Sequence, residues 1–161
     1  MDKITVLVVD DHTIMRQGLK RILEESNIKV IGEAADGYEA VEHVSQLQPD
    51  VVLMDIEMPR MSGIEATRII KRENPQVYVV VLTIHEEEEM LFEAIKAGAI
   101  GYVSKDRAPE ELLQVIESAS QGLSLLRPSM ASKILNEFSQ LQEKKSKQEP
   151  LYGTLSNRER E

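Results

Sequence analysis

Three acids, Asp10, Asp11 and Asp55, with the hydroxyl of Thr83 and the ammonium of Lys105, are the residues of this chain whose types and positions suit them to chemistry. Each stands at the end of an apolar run: VLVVDD, VVLMD, VVVLT and YVSK. Such runs of β-branched and aliphatic residues read as buried strands, each delivering a functional side chain to the rim of a sheet. Three carboxylates brought together repel one another, and the arrangement costs stability unless a proton or cation intervenes. A hard divalent cation resolves this. Mg²⁺ takes oxygen ligands and typically binds through one or two carboxylates plus phosphate oxygens. With that charge neutralised, Asp55 can attack a phosphoryl group as an oxygen nucleophile. Mg²⁺, Lys105 and Thr83 are then the groups able to stabilise charge on the equatorial oxygens. The product would be an aspartyl phosphate.

This chemistry requires that the strand ends meet. Apolar runs alternate with helical periods along the chain: strands are expected at Ile4 to Val9, Lys29 to Ala34, Val51 to Met54, Val77 to Thr83 and Gly101 to Ser104. Between them Met15, Leu19, Ile22 and Leu23 recur at helical spacing until Ser26 and Asn27. Asp36 with Glu39, and Ser62 with Glu65, are capping boxes opening helices that end before Pro49 and Pro75. A further helix is expected from about Glu86 to Ala97, stopping at Gly98, and a last one from Pro109, a favoured first-turn residue. Five strands alternating with helices imply a parallel sheet covered on both faces. Right-handed crossovers make this a doubly wound α/β fold of flavodoxin-like strand order 2-1-3-4-5. Sites in such sheets lie beyond the carboxyl ends of the strands. In this order the ends carrying Asp10, Asp11, Asp55, Thr83, Ser104 and Lys105 are neighbours.

Composition narrows the classes. The 161 residues are 42% hydrophobic and 29% charged, a globular balance with length for a full core. There is no cysteine, which excludes disulfides and thiolate metal sites. No apolar run approaches the roughly 20 residues of a bilayer span, so a soluble, cytoplasmic chain is expected. Net charge is −9, with −11 in residues 1–122 and +2 in residues 123–161. The acidic part would be repelled by nucleic acid. Past Gly122, Met130, Ile134, Leu135, Phe138 and Leu141 mark an amphipathic helical extension after Pro128. The polar stretch QEKKSKQEP reads as a linker, and Ser156 with Glu159 begins another helix.

The motifs VVDDH, DIEMP with Gly63, VVVLT and KAGAIGYVSKD together resemble the receiver domain of bacterial two-component response regulators over about residues 3–122. LSNRERE resembles the opening of the LuxR-type helix-turn-helix, which points to the NarL/FixJ group of transcriptional regulators. The resemblance implies residue roles. Asp55 stands at the phosphoacceptor position; Asp11 and Asp55 match direct Mg²⁺ ligands, Asp10 assists through water, and the backbone carbonyl of Glu57 completes the set. Lys105 matches the phosphate-pairing lysine, and Thr83 with Tyr102 the switch pair that couples a local charge event to a surface. Glu57 and His85 occupy positions that tune phosphoryl loss. Asp106 departs from the pattern, since many members have proline after the lysine; a non-proline cis peptide costs about 2.5–4 kcal/mol, which counts against the cis bond common there.

The implied whole is a transcription factor phosphorylated on Asp55 by a sensor histidine kinase or a small phosphodonor. Phosphorylation would switch homodimerisation, and catalysis would extend only to its own phosphorylation and dephosphorylation. The expected organisation is a receiver over 1–122, a helical extension and linker over 123–154, and the truncated start of a DNA-binding domain over 155–161. Seven residues cannot build a helix-turn-helix, so residues 1–161 are not expected to bind DNA specifically.

Each residue also has a structural reading. Asp10 and Asp11 are acceptable helix caps, Lys105 can simply pair with Asp55, and Thr83 and Tyr102 are ordinary strand formers. Glu86 to Glu89 suit a helix N-terminus, and His12, His43 and His85 show no ligand spacing. An aspartyl phosphatase resembling haloacid dehalogenases would want DxDxT after the first strand, where this chain has DDHT. Nucleotide binding would want GxGxxG or GxxxxGK, which are lacking. A flavodoxin-like cofactor site would want a neutral phosphate loop. A pseudo-receiver, folded but never phosphorylated, is the remaining alternative.

Overall fold

A computed structural model describes residues 3–84, 87–106, 109–126 and 128–141. The chain divides into two compact units, Met1–Leu126 and Arg127–Glu161. In the first, strands and helices alternate as β1 (Thr5–Val9), α1 (Thr13–Glu25), β2 (Lys29–Ala34), α2 (Gly37–Leu47), β3 (Val51–Asp55), α3 (Gly63–Glu73), β4 (Tyr78–Thr83), α4 (Glu88–Lys96), β5 (Gly101–Ser104) and α5 (Pro109–Ser120). In the second, residues 128–141 are helical, with Leu135, Phe138 and Leu141 exposed. No helix among the described residues is long and apolar enough to cross a membrane.

All strand pairs are parallel, in the order β2-β1-β3-β4-β5. Val6 to Val9 of β1 and Val51 to Met54 of β3 are wholly buried, as central strands covered on both faces must be. Side chains alternate between faces along each strand. Val6, Val8, Val51, Leu53, Val80, Leu82 and Val103 therefore share one core with Leu19 and Leu23 of α1 and Leu112, Val115 and Ile116 of α5. The intervening Leu7, Val9, Val52, Met54, Val79 and Val81 are equally buried on the opposite face.

The helices start where their caps place them. Asp36 Oδ1 accepts from the Glu39 N–H at 2.9 Å and Ser62 Oγ from the Glu65 N–H at 3.2 Å. In the first box the Glu39 carboxylate reaches back to the Ala35 N–H at 3.1 Å. Three boundaries differ slightly from the sequence reading. Val77 is held in a turn, its N–H bonded to the Asn74 carbonyl at 3.1 Å, so β4 begins at Tyr78. β1 likewise begins at Thr5 rather than Ile4. β3 extends to Asp55 because the following Ile56 N–H still bonds to the Leu82 carbonyl, at 3.1 Å. α4 is described over Glu88–Lys96, inside the expected span. The expectations at His85 and Glu86 and over residues 142–161, with the linker QEKKSKQEP, Ser156 and Glu159, lie outside the described residues.

Candidate functional site

Register brings the strand ends together. Val9 lies opposite Met54, Asp55 opposite Leu82, and Thr83 opposite Ser104. Asp10 and Asp55, each next along its strand, are thereby side by side, and Lys105 follows β5 with its N–H bonded to the Thr83 carbonyl at 2.8 Å. The Lys105 ammonium lies 2.8 Å from Asp10 Oδ2 and 3.3 Å from Asp55 Oδ1. All three side chains are almost fully buried. Thr83 and Ser104 are buried at the ends of β4 and β5, and Tyr102 is buried within β5, opposite Val81.

The backbone around the acids is fixed from outside. Asp10 N–H bonds to the Ala34 carbonyl at 3.0 Å, and the Arg16 guanidinium donates to the Asp10 carbonyl at 2.7 Å. Arg16 is turned that way by Glu33 of β2, 3.2 Å away. On β3, helix α3 begins against the strand end itself. The Gly63 N–H donates to the Ile56 carbonyl at 2.8 Å, and a Cβ at Gly63 would lie 2.0 Å from the Asp55 carbonyl oxygen. Only glycine fits at that approach.

Electrostatics follow from burial. The Asp55 carboxyl is pushed up to about 6, first by desolvation and then by the Asp10 charge, while Lys105 and the Glu57 N–H pull the other way. Burial acts to lower the Lys105 ammonium, but its hydrogen bond to Asp10 and the charges of Asp55 and Asp10 outweigh that and raise it. One cation thus serves two buried acids, and among the described residues Asp55 Oδ2 is buried without a hydrogen-bond partner. A buried, unpartnered carboxylate oxygen is costly unless a ligand or ion satisfies it. Asp10, Asp11, His12 and Asp55 each bring a potential ligand atom within 4.8 Å of the others. The oxygen-rich donor set suits a hard cation such as Mg²⁺.

Asp10, Asp11, Asp55, Thr83 and Lys105 therefore meet at one end of the sheet, as expected from the strand order. Neither Asp10 nor Asp11 is the N-cap of α1; that position is His12, without a side-chain cap bond. Asp10 Oδ1 instead accepts from the His12 N–H at 2.9 Å. His12, set aside on spacing, joins the cluster: its Nδ1 lies 3.2 Å from Asp10 Oδ1 and 3.3 Å from Asp11 Oδ1. Its adjacency to two strand-end acids was the available signal. No cis peptide occurs among the described residues, so the Lys105–Asp106 bond is trans. The Asp106 N–H lies 3.3 Å from Ser104 Oγ, its acceptor.

Comparison with known proteins agrees with this geometry. Residues 6–117 match the response regulator receiver domain model. The chain is 42% identical over 137 residues to the uncharacterized transcriptional regulatory protein YxjL of Bacillus subtilis, covering 84% of this chain and 63% of that protein. It thus spans under two thirds of that relative's length. It is 41% identical to the response regulator UvrY of Escherichia coli over 157 residues, covering 97% of this chain and 70% of UvrY. Among solved structures it superposes on a LuxR-family two-component response regulator from Aurantimonas with TM-score 0.76 and 36% identity, covering 86% of this chain and 99% of that one. The signal receiver domain of the putative response regulator NarL from Mycobacterium tuberculosis gives TM-score 0.73 and 31% identity, covering 76% and 99%. The chain belongs to the response regulator receiver domain family and is of the LuxR/NarL type.

Proposed function

We propose that Asp55 is a phosphoacceptor and that its phosphorylation switches a transcription regulator. The observation that carries this reading is the buried Asp55 carboxylate beside Lys105, with one oxygen, Oδ2, unpartnered among the described residues. An Asp55 oxygen attacks phosphorus as the donor's P–N bond, in a kinase phosphohistidine, or P–O bond, in an acyl phosphate, breaks. The bonding pair leaves with the donor: the kinase imidazole takes up a proton from solvent, and an acyl phosphate departs as its carboxylate anion without one. Lys105 holds positive charge where the transferred group gains negative charge, and Thr83 supplies a hydroxyl to the same group. Asp11 and Asp55, with Asp10 through water and the Glu57 carbonyl, are the residues that would hold Mg²⁺. Bound there, the metal would offset the carboxylate charges and stabilise charge on the phosphoryl oxygens.

Thr83 and Tyr102 are the switch pair in this reading, and phosphorylation favours a homodimer. A sensor histidine kinase is the protein donor and the cytoplasm the compartment. The receiver occupies residues 1–122, a helical extension and linker 123–154, and 155–161 begin a domain that contacts DNA. Beyond its own phosphorylation and dephosphorylation the chain is not an enzyme.

Intact mass after incubation with Mg²⁺ and acetyl phosphate tests this. One added phosphoryl group, absent in Asp55→Asn, is the expected result. Rapid multi-turnover phosphate release would favour a phosphatase, and failure of every donor, with the kinase present, would leave a pseudo-receiver.

A further inference from the structure

We propose that Arg60 is a positioning residue for the metal site, latched onto the start of α2 so as to hold the β3–α3 loop that carries Glu57. The proposal rests on the Mg²⁺ reading above. The loop from Ile56 to Ser62 must leave a buried strand and turn at once into α3. Its far end is pinned by Gly63 against Asp55 and Ile56. In its middle the chain reverses, with the Met61 N–H bonded to the Pro59 carbonyl at 2.8 Å and Arg60 at φ 68°. Arginine seldom adopts that left-handed conformation, which persists only where surroundings hold it.

The holding contacts come from α2. The Arg60 guanidinium pairs with Asp36 Oδ2 and lies 5.7 Å above the Tyr38 ring. Asp36 is buried and spends its other oxygen on the cap bond to the Glu39 N–H. That N–H first, and Arg60 next, keep its carboxyl below the ordinary range, so it stays charged for the latch at neutral pH. Next to it, Gly37 lets Met61 pack against the helix start; a Cβ at Gly37 would lie 2.8 Å from the Met61 Cβ. The first turn of α2 is therefore shaped to the loop at Asp36, Gly37 and Tyr38 together. The Arg60 side chain is itself 65% exposed, so its work is orientation of the loop and not filling of the core.

The test is a Mg²⁺ titration of residues 1–161, read by the amide NMR shifts of Asp55, Ile56 and Glu57, with urea unfolding alongside. Arg60→Gly removes the latch, while glycine accepts the left-handed backbone freely. Its Mg²⁺ dissociation constant should rise about tenfold, as is typical when a group supporting metal ligands is lost, with the urea midpoint unchanged. Asp36→Asn keeps the cap acceptor and should give the same loss, the double variant being no worse than either single one. Arg60→Lys should recover part of the affinity. Equal constants in Arg60→Gly and the unsubstituted chain overturn the latch alone. So does a loss that tracks stability and is not recovered by lysine. Absence of saturable shifts in the unsubstituted chain removes the metal reading and the latch with it.

Discussion

Removing the charge of Asp55 should stabilise the metal-free fold, and by an amount that depends on pH. The carboxyl moves from an ordinary value of 3.8 to about 6 on folding, chiefly through desolvation. A raised folded-state value means that the folded chain binds the proton more tightly, so stability falls as pH rises from about 4 to about 6 and the whole cost is present above that window. At about 1.4 kcal/mol per unit, the shift of roughly two units corresponds to ~3 kcal/mol at neutral pH. Asp55→Asn keeps the shape and abolishes the charge. In urea unfolding with a chelator present, the variant should exceed the parent by up to ~3 kcal/mol near pH 7.5, about 6–12 °C in Tm, and by nearly nothing near pH 4. The difference between the two chains cancels the titration of carboxyls remote from Asp55. A difference that is flat with pH, or a parent more stable than the variant at neutral pH, would refute the reasoning.

Adding Mg²⁺ should invert that ranking. Binding to the folded state stabilises it in proportion to RT ln(1 + [Mg²⁺]/Kd), so the parent Tm should climb with Mg²⁺ concentration while that of Asp55→Asn responds far less. Lys105→Met should cost about 3–5 kcal/mol at neutral pH, because two buried acids lose their shared cation. The loss should shrink as pH falls through about 6 and Asp55 takes up its proton, which urea midpoints across pH would reveal. Gly63→Ala must displace the Asp55 carbonyl; a penalty of ~3 kcal/mol or more is expected, with loss of phosphorylation by acetyl phosphate in the intact-mass assay. Gly18→Ala, in the middle of α1, meets no atom within 4 Å and should raise stability by about 0.5–1 kcal/mol in the same unfolding assay.

The elements were legible because the forces that make them are local. The continuous apolar runs at Val6–Val9 and Val51–Met54 are short and rich in β-branched and aliphatic residues, which marks them as strands buried on both faces, and the Asp36 and Ser62 caps act within one helical turn. From five such strands and their helices the sheet order follows, and with it the neighbourhood of Asp10, Asp55, Thr83 and Lys105. That neighbourhood was readable as far as which residues meet.

How they meet belongs to the tertiary structure. Lys105 bridging Asp10 and Asp55, the unpartnered Asp55 Oδ2 and its carboxyl near 6 depend on distances of a few tenths of an ångström and on burial by distant segments. His12 enters the cluster by the path the chain takes after β1, although its spacing alone suggested nothing. The Arg60–Asp36 pair joins residues 24 apart, and the need for glycine at position 63 arises from the backbone of Asp55, eight residues earlier and folded back to 2.0 Å. Pattern and capping in the sequence thus determined the strands, their order and the set of polar ends. Packing alone decided their charges and partners, because Coulomb and desolvation energies are set by separation and solvent exposure in three dimensions.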